Sequence, residues 1–187
     1  AHESSVRQGG ALELRFLAWA FWHSAANTQE KLKADPAVDG ALNLGAASFA
    51  DWLTRMPLRK GQTQLKVVPP YEKWAFDLLT RADYDDYWQH PSYAPALFWD
   101  DFPCVPTLII GGWYDSYTRS TCNNYIGLSA RQKGPVRMLM GPWTHGSNTL
   151  ELSYAGDVEF GADAALDSFR DLHLRYFDSA LKGRDTG

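Results

Sequence analysis

Apolar residues recur at helical spacing through the first hundred positions. From residue 105 onward they collect in short unbroken runs, so the chain reads as a helical block followed by a piece of parallel sheet. Leu12, Phe16, Trp19 and His23, with Leu17 and Ala20 beside them, fall near one face of a helix that is predicted to run to about Lys33 and to stop before Pro36. A second, short helix is suggested by Phe49, Trp52, Leu53 and Met56, ended by Pro57. A third follows Pro69-Pro70, with Tyr71, Trp74, Leu78 and Leu79 at helical spacing. This half contains no period-two alternation of useful length.

Val105-Pro106-Thr107-Leu108-Ile109-Ile110-Gly111-Gly112 is an apolar run between turn signals, the pattern of a strand buried on both faces. Residues 118–131 fit a helix anchored by Tyr125, Ile126 and Leu128, and Val136-Arg137-Met138-Leu139-Met140 is a second strand closed by Gly141-Pro142. Strand, helix and strand in such a short span make a βαβ unit, which implies parallel pairing and a right-handed crossover. A last helix from about Ala164 to Leu181 presents Leu166, Phe169, Leu172, Tyr176 and Ala180 on one side, has Gly183 as its C-cap, and is expected to cover one face of the sheet. No internal repeat or low-complexity segment interrupts this plan. The fold class is therefore α/β, with a helical block placed before a βαβ unit.

The 187 residues carry a net charge of −4 without a basic run, so the chain lacks the electrostatic footprint of a nucleic-acid or anionic-membrane binder. Glu13 and Arg15 interrupt the most apolar segment, which falls short of the roughly 20 residues that a bilayer crossing needs. The opening Ala-His-Glu-Ser-Ser shows no signal peptide, and the compartment cannot be read from it. Cys104 and Cys122 form neither a disulfide framework nor a zinc pattern. His2, His23, His90 and His173 lack partners at ligand spacing, and the acidic run Asp83 to Asp86 is interrupted by Tyr84 and reads as a solvated face. No metal or organic cofactor is expected. Aromatic residues make up 14% of the chain, with eight Trp, which fits either a heavy core or a pocket for a bulky ligand.

Ligand and catalytic groups of open parallel sheets sit beyond the carboxyl ends of the strands, and two titratable residues stand there. Asp115 lies three residues after Gly112, and His145 five residues after Met140. Adjacent strands run about 4.8 Å apart, so loops leaving one edge can bring a carboxylate and an imidazole together. The carboxylate would fix the tautomer of the ring and stabilise the imidazolium formed when the ring accepts a proton. Spacing alone also allows plainer roles, Asp115 as an N-cap of the following helix and His145 as a loop histidine.

Gly111-Gly112-Trp113-Tyr114-Asp115 followed by Gly141-Pro142-Trp143-Thr144-His145 resembles the CocE/NonD hydrolases, a family that includes cocaine esterase, α-amino acid ester hydrolases and the X-Pro dipeptidyl-peptidase group. Gly9-Gly10-Ala11, Tyr84-Asp85-Asp86-Tyr87-Trp88, Tyr176-Phe177-Asp178 and Leu181-Lys182-Gly183 fit the same family, so the likeness spans nearly the whole chain. It implies an α/β-hydrolase parallel sheet with an inserted helical cap. Residues 1–100 would be the cap region and residues 101–187 the C-terminal part of the core, with the nucleophile portion and a β-jelly-roll domain outside the chain. Asp115 and His145 would be the second and third members of a Ser, Asp, His triad. No Ser in the chain has a Gly-x-Ser-x-Gly setting, so the nucleophile and the oxyanion donors are expected upstream.

By the same resemblance Tyr117 falls where the family lines its acyl pocket, and Trp19 could face that space from the first cap helix. Trp113 and Trp143 flank the dyad and could exclude water, and each of these four could equally be packing. The expected activity is cleavage of a small ester or amide through an acyl-enzyme, with no cofactor. An exopeptidase releasing X-Pro dipeptides and a non-catalytic aromatic-rich binding module are the alternatives.

Overall fold

The computed structural model describes residues 2–28 and 30–186, which fall into two compact units: residues 6–87 with His2, and residues 88–186 with 3–5. Among the described residues no helix is long and apolar enough to cross a membrane.

The first unit is helical. It contains α1 (Leu14–Asn27), α2 (Glu30–Lys33), α3 (Pro36–Ala47), α4 (Phe49–Leu53) and α5 (Pro69–Thr80). Leu17, Ala20 and Phe21 recur along one side of α1, so α1 meets Leu65 and Ala75 in a dry core, with Trp52, Leu58, Tyr71, Trp74 and Leu79 packed around them. The expected long first helix is instead α1 and α2. α3 is a further departure from the sequence pattern, in which Pro36 marks only a stop. Pro36 is in fact the first residue of a new helix, and the Asp35 side chain accepts the Ala37 amide at 2.9 Å.

The carboxyl end of α5 is satisfied from far away in sequence. The buried guanidinium of Arg7 donates to the carbonyls of Leu78 (2.6 Å) and Leu79 (3.0 Å), orphan acceptors of a last helical turn. Arg7→Met keeps the side chain's length but leaves those carbonyls without their charged donor. It is expected to lower stability by about 2 kcal/mol in urea denaturation followed by circular dichroism.

The second unit holds the sheet. β1 (Thr107–Gly112) and β2 (Val136–Gly141) pair in parallel from Thr107↔Val136 to Gly112↔Gly141, and α6 (Thr118–Ala130) makes the crossover. Residues 95–101 dock on α6. Trp99 lies so close to Gly127 that a Cβ there would overlap the indole, whose Nε1 donates to Asn124 Oδ1 at 3.0 Å. The strands are less covered than expected, with most positions half-buried and Arg137 and Met138 exposed. Burial on both faces needs a helical layer on each. α6 packs on both strands, whereas α7 (Phe169–Lys182) buries none of its side chains.

The final helix starts later than its apolar pattern suggested. Ser168 is its N-cap and accepts the Asp171 amide at 3.1 Å, and residues 162–164 form a separate 3-10 turn. Gly183 closes α7 in the left-handed conformation at φ 64°. Between Leu150 and α7 the chain forms a short hairpin of β3 (Tyr154–Ala155) and β4 (Val158–Glu159). Two residues per strand left no readable alternation in the sequence.

Candidate active site

The parallel ladder continues past the last strand residues and zips two loops together. Trp113 donates its amide to the Gly141 carbonyl at 2.8 Å, and Tyr114 donates to the Trp143 carbonyl at 3.1 Å. This close approach explains Gly112, while Gly141 and Gly111 are required by the Trp143 ring and by α6. A Cβ on Gly112 would overlap the Trp143 carbonyl, one on Gly141 would stand 2.6 Å from the Trp143 ring, and one on Gly111 would stand 2.8 Å from Thr121 Cγ2. The loops that carry Asp115 and His145 are thereby fixed side by side.

Asp115 divides its two oxygens between two tasks. Oδ1 accepts the Tyr117 amide at 2.9 Å, an Asx turn that pins the carboxylate to its own loop, and Oδ2 lies 2.9 Å from His145 Nδ1. Asp115 is thus not the N-cap of α6, a place held by Tyr117 without a side-chain cap; it closes the turn before the helix and also meets the imidazole. Thr118 stiffens the same turn. Its hydroxyl proton is shared between the carbonyls of Gly112 (2.5 Å) and Asp115 (2.6 Å).

The Asp115 side chain is only 13% exposed while that of His145 is 50% exposed, so the carboxylate is held inside and the ring stays open to a reacting group. With Nδ1 turned to a carboxylate, the proton of a neutral ring belongs on Nδ1 and Nε2 is the basic nitrogen. Such a pair can take a proton from a nucleophile and return it to a leaving group.

The other expected residues differ in what they touch. Tyr117 packs its ring on that of His145 at 5.2 Å between centroids. Trp143 is buried and its indole donates to the Ala164 carbonyl at 2.9 Å, so its visible work is to tie the histidine loop to the segment before α7. Trp113 is exposed and meets Phe160 edge to face at 6.2 Å. Both tryptophans line an open groove of about 400 Å³ with Met140, Phe160 and Leu166, and neither Asp115 nor His145 lines it. Trp19 belongs to the helical unit, where it packs edge to face on Phe16 and His23.

The sequence reading missed Thr118, Glu151 and Phe160. Glu151 accepts the Phe169 amide at 2.7 Å, and Leu166 donates its amide to the Leu150 carbonyl at 2.8 Å, so the stretch after His145 is tied to the start of α7. Phe160 is brought under Trp113 and Tyr114 by the hairpin, whose Glu159 carboxyl lies below the usual carboxylate range because the Ser153 hydroxyl and then the Gly161 amide donate to it. Thr118 had a visible signal, a hydroxyl three residues after an Asp at a helix start, while the partners of Glu151 and Phe160 are long-range. Among the described residues no three His, Cys, Asp or Glu side chains gather as metal ligands.

Compared with known families, residues 1–147 match the family model described as X-Pro dipeptidyl-peptidase (S15 family). The match takes in both motif loops and ends two residues beyond His145. No curated protein matches the chain.

Proposed function

Because the chain belongs to the X-Pro dipeptidyl-peptidase (S15) family, whose members are hydrolases, we propose that it carries the Asp and His of a serine hydrolase that cleaves an ester or amide through an acyl-enzyme. The reading rests on one observation, the 2.9 Å contact between Asp115 Oδ2 and His145 Nδ1 at the carboxyl edge of the β1–β2 pair.

In the proposed cycle His145 Nε2 takes the proton of a serine hydroxyl as its oxygen attacks the acyl carbon. The imidazolium then returns that proton to the departing alcohol or amine. Water, deprotonated by the same nitrogen, releases the acid and regenerates the serine. Asp115 holds the ring's orientation and stabilises its charged form. The serine and the oxyanion donors are assigned to polypeptide outside residues 1–187, in keeping with the lack of a Gly-x-Ser-x-Gly setting here. Residues 1–100 are assigned to a cap and residues 101–187 to the rear of the hydrolase core. Tyr117, on the imidazole ring, is the first candidate to touch an acyl group, with Trp19, Trp113 and Trp143 as further candidates.

The printed family description favours a second reading, an exopeptidase that releases X-Pro dipeptides. Such an enzyme needs a group that recognises the free substrate amine. Parallel assays with phenyl acetate and alanyl-prolyl p-nitroanilide on the protein carrying its nucleophile segment separate the two. Preference for the ester supports the first reading, and preference for the anilide the second. In either case a fluorophosphonate should label one serine outside residues 1–187, and labelling should fall away in His145→Ala. Labelling of a serine within these residues, or labelling indifferent to His145, would refute the assignment.

A further inference from the structure

Each member of the dyad is followed at short range by a threonine whose hydroxyl reaches back past it. Thr149 comes four residues after His145, and its Oγ1 donates to the carbonyls of Gly146 (2.7 Å) and Thr144 (3.0 Å), the two residues that flank the histidine. Thr118 comes three residues after Asp115, and its Oγ1 reaches the carbonyls of Asp115 and of Gly112, the last residue of β1. Gly146 makes the histidine half of this arrangement possible, since its φ of 123° is open to glycine and a Cβ there would stand 2.8 Å from Asn148 Oδ1.

A threonine hydroxyl at a turn or helix start commonly bonds a carbonyl three or four residues back, and the Gly146 and Asp115 contacts are of that local kind. The other two are not. Thr144 lies five residues before Thr149, and Gly112 six before Thr118, so each hydroxyl closes the main chain across the residue that belongs to the dyad. Peptide planes on either side of His145 converge on one oxygen, and planes on either side of Asp115 converge on the other. The His145 side chain is half open to solvent, so the setting of its main chain bears heavily on whether Nδ1 meets Asp115 Oδ2.

We propose that Thr118 and Thr149 are positioning residues for the Asp115–His145 pair. Each hydroxyl fixes the loop beneath its own dyad member, and the 2.9 Å meeting of Oδ2 with Nδ1 requires both loops to hold. Both hydroxyls bond main-chain carbonyls and move no proton in the cycle, so they act through Asp115 and His145. The consequence for turnover rests on the hydrolase reading. The consequence for the dyad contact rests on the loop geometry alone.

Thr118→Val and Thr149→Val keep the side-chain shape and remove the donor, and Thr118→Ser and Thr149→Ser restore it. In the protein carrying its nucleophile segment, each valine variant is expected to lower kcat about tenfold or more, up to the roughly 10²-fold that a misplacement of about 1 Å can cost. KM should change little, and each serine variant should recover most of the loss. The downfield proton resonance of His145 Nδ1 should broaden or move upfield in each valine variant and return with serine. Thermal unfolding verifies that every variant is folded, and a merely structural role would leave that resonance in place. Asp115→Asn separates the two readings: full turnover there would sink the hydrolase reading, and the resonance would still judge the threonines. An unchanged Nδ1 resonance in either folded valine variant, or undiminished kcat there while Asp115→Asn is crippled, would overturn the positioning role of that threonine.

Discussion

In the protein carrying its nucleophile segment, Asp115→Asn is expected to cut turnover on ester or amide substrates about 10⁴-fold, the scale seen when the wrong imidazole tautomer is imposed, while leaving the protein folded. The size of the effect follows from the division of labour between the two carboxylate oxygens. In Asn the carbonyl oxygen can still accept the Tyr117 amide in place of Oδ1, so the turn survives. The NH₂ group then occupies the position of Oδ2, 2.9 Å from Nδ1, and presents a donor where an acceptor stood. The ring answers by moving its proton to Nε2, which removes the basic lone pair from the nitrogen proposed to deprotonate the serine. Asp115→Ala would remove both oxygens and loosen the loop as well, so comparing the two variants separates tautomer control from loop shape. Steady-state kinetics and a thermal melt check this: kcat should collapse, KM should move little, and Tm should shift far less in Asn than in Ala. A loss below tenfold in Asp115→Asn would remove the residue from the mechanism.

What the sequence made legible was the order of β1, α6 and β2 and the pairing that this order implies. β1, α6 and β2 could be read because each is a short run with its own punctuation, and parallel pairing followed from the crossover between them. The approach of Asp115 to His145 was foreseeable for the same reason, since both stand a few residues beyond the ends of paired strands. The division of the carboxylate between two partners was not, because spacing offered Asp115 as an N-cap, whereas α6 has Tyr117 as its N-cap without a side-chain cap and the second oxygen of Asp115 instead closes an Asx turn on the Tyr117 amide.

Pro36 was read by its power to end a helix, although the same locked φ suits the first turn of a new one. The place of Arg7 at the end of α5 needs a fold that brings together residues 71 apart, which no local pattern carries. Trp143 carried a pocket expectation because aromatics beside catalytic loops invite it. It is buried and bonded to Ala164 and also lines the groove with Trp113, long-range relations that spacing does not carry.

The second large effect concerns the contact that fixes the site. Gly112→Ala places a methyl group on the Trp143 carbonyl oxygen, and both partners are main chain, so no rotamer change can relieve the overlap. Overpacking in well-fitted regions costs about 1–3 kcal/mol and occasionally more, and a clash with backbone belongs at the upper end, so a loss of about 3 kcal/mol or greater is expected. The strain can be released only by parting the two loops. Parting them breaks the Tyr114 to Trp143 hydrogen bond and moves Asp115 away from His145.

Gly112→Ala should therefore lower stability and activity together, unlike Asp115→Asn, which separates them. A glycine with free space supplies the control. Gly40 lies within α3 with nothing within 4 Å of an added Cβ, so Gly40→Ala should stabilise by up to about 1 kcal/mol through helix propensity alone. Guanidinium unfolding gives the stability readout, and the downfield proton resonance of a hydrogen-bonded His145 Nδ1 reports the dyad. If Gly112→Ala keeps that resonance and loses less than about 1 kcal/mol, below the usual cost of overpacking, then the close approach of the loops does not hold the carboxylate and the imidazole together.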